Sequence, residues 1–263
     1  MTPAGRSFGE EGGLLTYGRY LRLPELLAQQ VPQVEPPAHD ELLFITVHQA
    51  YELWFQQLLH ELTAVRDHIV AGGLWKARQL LGRAHVIERL LISQVDVLET
   101  MTPQDFLDFR AALAPASGFQ SVQFRELEFL SGLKDPRFVS RFRSLTEAEQ
   151  TRLDRRLAEP SLWDAYLGLL AARGLPGGDD EQVLAALVQV ARDRSRYDAE
   201  WQLAEGLLTH DELAGLWRAR HVQRVERQIG TKSGTGGSTG APYLRGRVPI
   251  RYYPLLWELR DVL

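Results

Sequence analysis

Glu41-Leu42-Leu43-Phe44-Ile45-Thr46-Val47-His48-Gln49-Ala50-Tyr51-Glu52-Leu53-Trp54-Phe55 opens a long periodic run. Apolar side chains recur at Leu42, Leu43, Ile45, Leu53, Trp54, Leu58, Leu62, Val65 and Ile69. Spacings of three and four lay a broad apolar face along one helix of about residues 39–70. Gly72-Gly73 ends it. The same period continues from about Trp75 to Glu99 through Leu80, Leu81, Ile87, Leu91 and Val95. Two long helices joined by so short a turn must lie antiparallel, which sets the class as all-α.

The start and stop signals agree with that class. Thr102-Pro103-Gln104-Asp105 offers a capping threonine, a proline at the first helical position and an acid at the third. The helix it opens carries Phe106, Phe109, Arg110 and Leu113 until Pro115 and Gly118 break it, and another follows over about 121–130. Thr146-Glu147-Ala148-Glu149 has capping-box spacing, and Pro160 starts a further helix to about Arg173. Gly174 to Asp180 reads as a linker, followed by a helix over about 181–208. Thr209-His210-Asp211-Glu212 again has capping-box spacing and opens a helix to Gly230. Residues 230–249 read as loop, with a short helix over about 255–261. The only β-like run, Val248 to Tyr253, is weakened by its proline. These signals predict one domain over residues 1–263, with the charged stretch of about 132–175 as a projecting helical pair.

Composition removes several chemistries. There is no cysteine among the 263 residues, so disulfides, thiolate catalysis, Fe–S clusters and zinc–thiolate sites are excluded. A formal charge of -4 gives no reason to expect nucleic acid or an anionic membrane as partner. Met1 to Gly13 is polar and Gly-rich without an apolar core, and no apolar run approaches the roughly 18 residues of a span, so a cytoplasmic location is expected. No Glu-x-x-His or H-E-x-x-H occurs, and no strand precedes Gly236-Gly237-Ser238-Thr239-Gly240 to make its G-x-S-x-G spacing a nucleophile elbow. Seven histidines leave haem, or a metal held by histidine and carboxylate, as the plausible cofactor classes.

Four places carry candidate chemistry. His221 ends Trp217-Arg218-Ala219-Arg220-His221, late on its helix, where it suits axial ligation or simply the helix dipole. Arg218, Arg220, Arg224 and Arg227 around it read equally well as a solvated face. His48 shares a face with Phe44, four residues earlier, and can hydrogen-bond a flat aromatic ligand or sit satisfied in the core. Arg110 shares a face with Phe106 and suits either a substrate carboxylate or a structural ion pair. The loop Gly230-Thr231-Lys232-Ser233-Gly234-Thr235-Gly236-Gly237-Ser238-Thr239-Gly240 completes no phosphate-binding pattern and reads better as a mobile lid.

These segments, with Leu15-Thr16-Tyr17-Gly18-Arg19-Tyr20-Leu21, His39-Asp40-Glu41 and Ala116-Ser117-Gly118-Phe119-Gln120-Ser121, resemble the tryptophan 2,3-dioxygenase family over residues 14–260. The 133–180 region is the least distinctive. The resemblance implies a haem-pocketed helical bundle that inserts O2 into the indole C2–C3 bond of L-tryptophan, giving N-formyl-L-kynurenine. It further implies that His221 is the proximal ligand of haem b, and that His48 accepts the indole N–H. Arg110 would clamp the substrate carboxylate, and Thr235 would meet its ammonium and carboxylate groups. Phe44 and Phe106 would wall the indole pocket, while Ser117 and Gly118 would form a turn at the haem edge. Some members carry tyrosine where this chain has Phe106, leaving Arg110 more of the carboxylate. Tyr17, Tyr20 and Leu21 match a segment that enters a neighbouring subunit's pocket, which implies a homotetramer built as a dimer of dimers. A haem sensor or carrier on the same fold, and a cofactor-free scaffold, are the competing readings; a carrier would need neither Arg110 nor the Thr235 lid.

Overall fold

A computed structural model describes residues 15–141, 145–237 and 239–263. The Gly-rich N-terminus, Met1 to Gly13, and Ser238 of the lid lie outside the described residues. Thirteen α-helices and no strand occur among those described. In chain order they are α1 (Tyr17–Tyr20), α2 (Leu23–Leu26), α3 (His39–Val70), α4 (Leu74–Glu99), α5 (Pro103–Arg110), α6 (Val122–Ser131) and α7 (Arg137–Arg141). Then follow α8 (Glu147–Ala158), α9 (Leu162–Ala172), α10 (Asp180–Arg192), α11 (Arg194–Ile229), α12 (Ala241–Arg245) and α13 (Pro254–Val262).

The bundle is built on α4, which packs along both α3 and α11. Leu62, Val65 and Ile69 of α3 and Ala77, Leu81 and Ala84 of α4 are almost fully buried along the hairpin that Gly72 turns with φ +74°. Apolar burial of this kind is the main stabilising term, at about 25 cal/mol per Å². No side chain caps the start of α3. Instead the buried Glu41 carboxylate accepts the Gln33 amide at 2.7 Å and the Val34 amide at 3.4 Å, tying the preceding segment down.

Within the charged 132–175 stretch the two long helices have different neighbours. Leu162, Tyr166 and Leu170 of α9 sit in the main core, against α3. On α8, Leu153 joins Val122, Phe129 and Phe138 in a second cluster. Around that cluster Glu126 takes Arg152 and Arg156, and Glu128 takes Arg125 and Arg247. The charge of this region is thus largely consumed in ion pairs, several of them buried.

The second capping box is not formed. α11 runs through Thr209-His210-Asp211-Glu212 without a break, and the chain turns instead at Asp193, with a kink at Tyr197. Thr209 behaves as a mid-helix threonine, its hydroxyl donating to the Glu205 carbonyl at 2.9 Å. The reason is tertiary: His210 and Asp211 are buried and bonded to other elements. Asp211 accepts the backbone amides of Tyr252 and Tyr253 and the Trp257 indole N–H, which pins the approach to α13. The β-like run ending there forms no strand, because those amides have a carboxylate as partner.

Ser131, His210 and Glu88 line up as nucleophile, base and acid would. His210 Nε2 lies 2.8 Å from Ser131 Oγ, and its Nδ1 bonds the Glu88 carboxylate. Proton counting rules the triad out. The Ser131 hydroxyl donates to the Leu127 carbonyl at 2.7 Å, so its single proton is spent. His210 must then donate from both nitrogens and be an imidazolium. Burial alone would lower its pKa, but the charge and hydrogen bond of Glu88 raise it above the ordinary 6.5. Nearby His85 is pushed the other way, to about 4, by burial and then by the His210 charge, and its Nε2 donates to the Gly206 carbonyl.

The sign of the pH dependence follows. The His210–Glu88 contribution is complete below pH 6.5 and is lost as pH rises through the raised folded value. The neutral His85 contributes above 6.5 and loses that contribution as pH falls toward about 4. Glu88→Gln should cost about 3–5 kcal/mol in urea unfolding at pH 6, because it strands a buried cation. It should also remove the decline in stability on the alkaline side. A variant as stable as wild type at pH 6 would show that His210 is neutral.

Candidate active site

Helix α3 presents His48 half-buried, with its Nδ1 2.7 Å from the carbonyl of Phe44 one turn earlier. A carbonyl can only accept, so Nδ1 carries the proton and Nε2 keeps its lone pair. Burial lowers the ring's pKa; the Phe44 bond opposes that, and the Arg224 charge adds to it. At neutral pH His48 is therefore a neutral hydrogen-bond acceptor. Its ring centroid stands 4.0 Å from that of Phe44.

Helix α5 supplies the next wall. The capping box of Thr102 and Asp105 forms as its spacing predicts, with Pro103 in the first turn. It sets Phe106 5.6 Å from Phe44, with Phe109 at 5.6 Å from Phe44 and edge-on to Phe106 at 5.4 Å. Phe109 is fully buried and anchors α5 to the core, a role its sequence neighbours hide. Arg110 follows, and its Nη2 donates to the Ser233 carbonyl of the lid loop at 2.5 Å.

The loop beyond α11 folds over α5 and the turn that follows it. Thr235 Oγ1 donates to the Ala116 carbonyl at 2.6 Å, which leaves its lone pairs free to accept. Gly236 lies so close to Ser117 that a Cβ there would stand 2.5 Å from Ser117 Cβ. A Cβ on Gly240, whose φ is +71°, would meet the Lys232 carbonyl at 2.4 Å. Only glycine permits this path. Ser117 caps a short 3-10 turn by accepting the Phe119 amide, and Gly118 beside it borders open space.

Opposite stands His221 on α11, its ring stacked on Trp217 at 5.2 Å and 19°. Burial first, and then the proximity of His48 and of the Arg224 charge, lower its pKa to about 4. His48 is near enough to bear on the electrostatics of His221, which places the two rings in the same part of the molecule. Neither ring nitrogen of His221 has a hydrogen-bond partner among the described residues. No three His, Cys, Asp or Glu side chains converge as a metal site among the described residues. A metal at His221 would therefore have to bring most of its own ligands.

The structure thus brings Phe44, His48, Phe106, Arg110, Ser117, Gly118, Thr235 and His221 into one region. It leaves Tyr17, Tyr20 and Leu21 apart: α1 packs mainly on α2, and these side chains are exposed. The arginines near His221 divide. Arg220 and Arg227 point outward to Asp96 and Glu99, whereas Arg218 and Arg224 are buried. Arg224, three residues past His221, was hidden in what the sequence shows as an ordinary charge run. Arg218 Nη1 and Nη2, Glu88 Oε2 and Trp217 Nε1 lack hydrogen-bond partners among the described residues, and these three residues help line a neighbouring cavity of about 50 Å³, with room for ordered water.

Fold and site together describe an all-α helical bundle with aromatic side chains set beside two histidines of lowered pKa. The family model described as tryptophan 2,3-dioxygenase matches residues 2–177 and 179–263. A tryptophan 2,3-dioxygenase of Nocardioides sp. is 65% identical over 261 residues, 98% of each chain. One from Herpetosiphon aurantiacus is 45% identical over 94% of this chain and 97% of its own. Another, from Xanthomonas campestris pv. campestris, is 40% identical over 94% and 87%. The chain belongs to the tryptophan 2,3-dioxygenase family.

Proposed function

We propose that the protein inserts both atoms of O2 across the indole C2–C3 bond of L-tryptophan, giving N-formyl-L-kynurenine, with haem b as cofactor. The observation that carries this reading is the presence of two histidines of lowered pKa in one region beside Phe44 and Phe106, one with an acceptor nitrogen and one with no hydrogen-bond partner among the described residues. The residues fit haem b: His221 offers a lone pair, and the porphyrin would bring the further ligands that no cluster among the described residues provides. When bound, ferrous haem would supply the iron at which O2 is taken up.

The protein's own part is positioning. His48 Nε2 accepts the indole N–H. Phe44 and Phe106 confine the ring. Arg110 holds the carboxylate, and the Thr235 oxygen, with its proton engaged by Ala116, accepts from the ammonium. Closure of the loop excludes water from the reacting atoms. Rejection of analogues follows, since each buried polar partner would be left unpaired. Ser117 and Gly118 border the haem edge.

We read residues 1–263 as a single domain and the assembly as a homotetramer, a dimer of dimers. The exposure of Tyr17, Tyr20 and Leu21 supports the view that they complete a neighbour's pocket. No helix among the described residues is long and apolar enough to cross a membrane, and a cytoplasmic location accords with that.

The direct test is an absorbance time course on haem-supplemented, reduced protein given L-tryptophan and air. Growth of N-formylkynurenine absorption is expected; a haem band without product would favour the carrier reading. The lid has its own test. Gly236→Val overfills the contact with Ser117, at a cost of about 1–3 kcal/mol. L-Tryptophan affinity should fall roughly 5- to 150-fold with haem content unchanged; unaltered affinity would show that the lid need not dock.

A further inference from the structure

We propose that Arg224 receives a propionate of the cofactor, pairing a buried guanidinium with an acidic group that the protein itself does not supply. The inference rests on the haem reading above and adds a residue to it.

Arg224 is 6% exposed. Among the described residues its guanidinium makes one hydrogen bond, from Nη1 to Gln228 Oε1 at 2.6 Å. Gln228 is held in turn, its Nε2 donating to the Thr102 carbonyl at 2.8 Å. Arg224 Nε is buried without a partner. No carboxylate lies within ion-pair distance of it among the described residues. The acids nearby are already committed: Asp96 to Arg220, and Glu99 to Arg227 and Arg220.

A buried guanidinium stays charged, and burying it unpaired is costly. Such a group fits a site completed by an anion. Arg224 stands one turn beyond His221 on the same helix, and its charge bears on both His221 and His48. Three residues apart on α11, Arg224 and His221 lie on one face of the helix. Haem b carries two carboxylates at one edge of an otherwise apolar disc. A guanidinium meets a carboxylate with two parallel hydrogen bonds, and Gln228 leaves Nε and Nη2 available for them. The other carboxylate that would enter the pocket belongs to the amino-acid substrate, and Arg110 under the lid already serves it.

The test loads the full chain with haem b or with its dimethyl ester, in which the propionate charges are gone. Release of each to an acceptor protein is followed by absorbance, for wild type, Arg224→Met and Arg224→Lys. Wild type should hold haem b at least about tenfold longer than the ester. Arg224→Met should release both at the wild-type ester rate, and Arg224→Lys should recover part of the preference. Methionine replaces the buried charge with an apolar chain of similar length, so the fold should tolerate it. An undiminished preference for haem b in Arg224→Met overturns the proposal. So does a variant that loses only L-tryptophan affinity, which would give the guanidinium to the substrate. Failure of wild type to bind either porphyrin would instead sink the haem reading, and this proposal with it.

Discussion

Replacing His221 with alanine is expected to strip the protein of stably bound haem b. Loss of even an outer partner of a metal ligand costs about 10–100-fold in affinity, so loss of the ligand itself should exceed that. The fold should survive, because the imidazole makes no hydrogen bond among the described residues and stacks only on Trp217. Two controls make the outcome specific. Added imidazole should restore haem binding by filling the space left on α11. His48→Ala should keep its haem and lose the indole acceptor. Haem retained with a histidine-ligated spectrum in His221→Ala would refute the assignment, and haem lost in His48→Ala would exchange the two roles.

The second large effect is expected at Arg110. Arg110→Ala should leave haem content intact and weaken L-tryptophan by about 2–5 kcal/mol, the usual cost of removing one partner of a buried charge pair. That is roughly 30-fold to several thousand-fold in affinity. Tryptamine, which lacks the carboxylate, separates the clamp from general damage to the pocket. Wild type should prefer L-tryptophan strongly over tryptamine, and the variant should nearly lose that preference. Part of the effect will come through the lid, since Arg110 also holds the Ser233 carbonyl. Unchanged discrimination would remove Arg110 from carboxylate recognition. With Phe106 in place of a phenol, no hydroxyl from that position shares the load.

Arg110 shows how far the sequence reaches. Its spacing from Phe106, and the Thr102–Asp105 capping box that starts their helix, depend only on residues within one turn, and both are legible in the chain. The same holds for α3, whose apolar period and terminal glycines set its span, and for His48, whose tautomer is fixed by a carbonyl four residues away. The Thr209 capping box fails for the opposite reason. His210 and Asp211 are drawn inward by Glu88, Ser131, Tyr252 and Tyr253, which lie far along the chain, and α11 stays whole. Helix α12 is likewise unsignalled: the sequence shows only a loop there, and α12 packs on α11.

Amino-acid order alone therefore determined the helical class and the long hairpin, because helix period and capping are local interactions. The tertiary structure alone decided which arginines of α11 are buried, that His210 is a charged donor rather than a base, and that Arg110 meets the lid. Those outcomes depend on desolvation and on partners distant in sequence, and burial changes the protonation and pairing of a side chain in ways that its neighbours along the chain do not reveal.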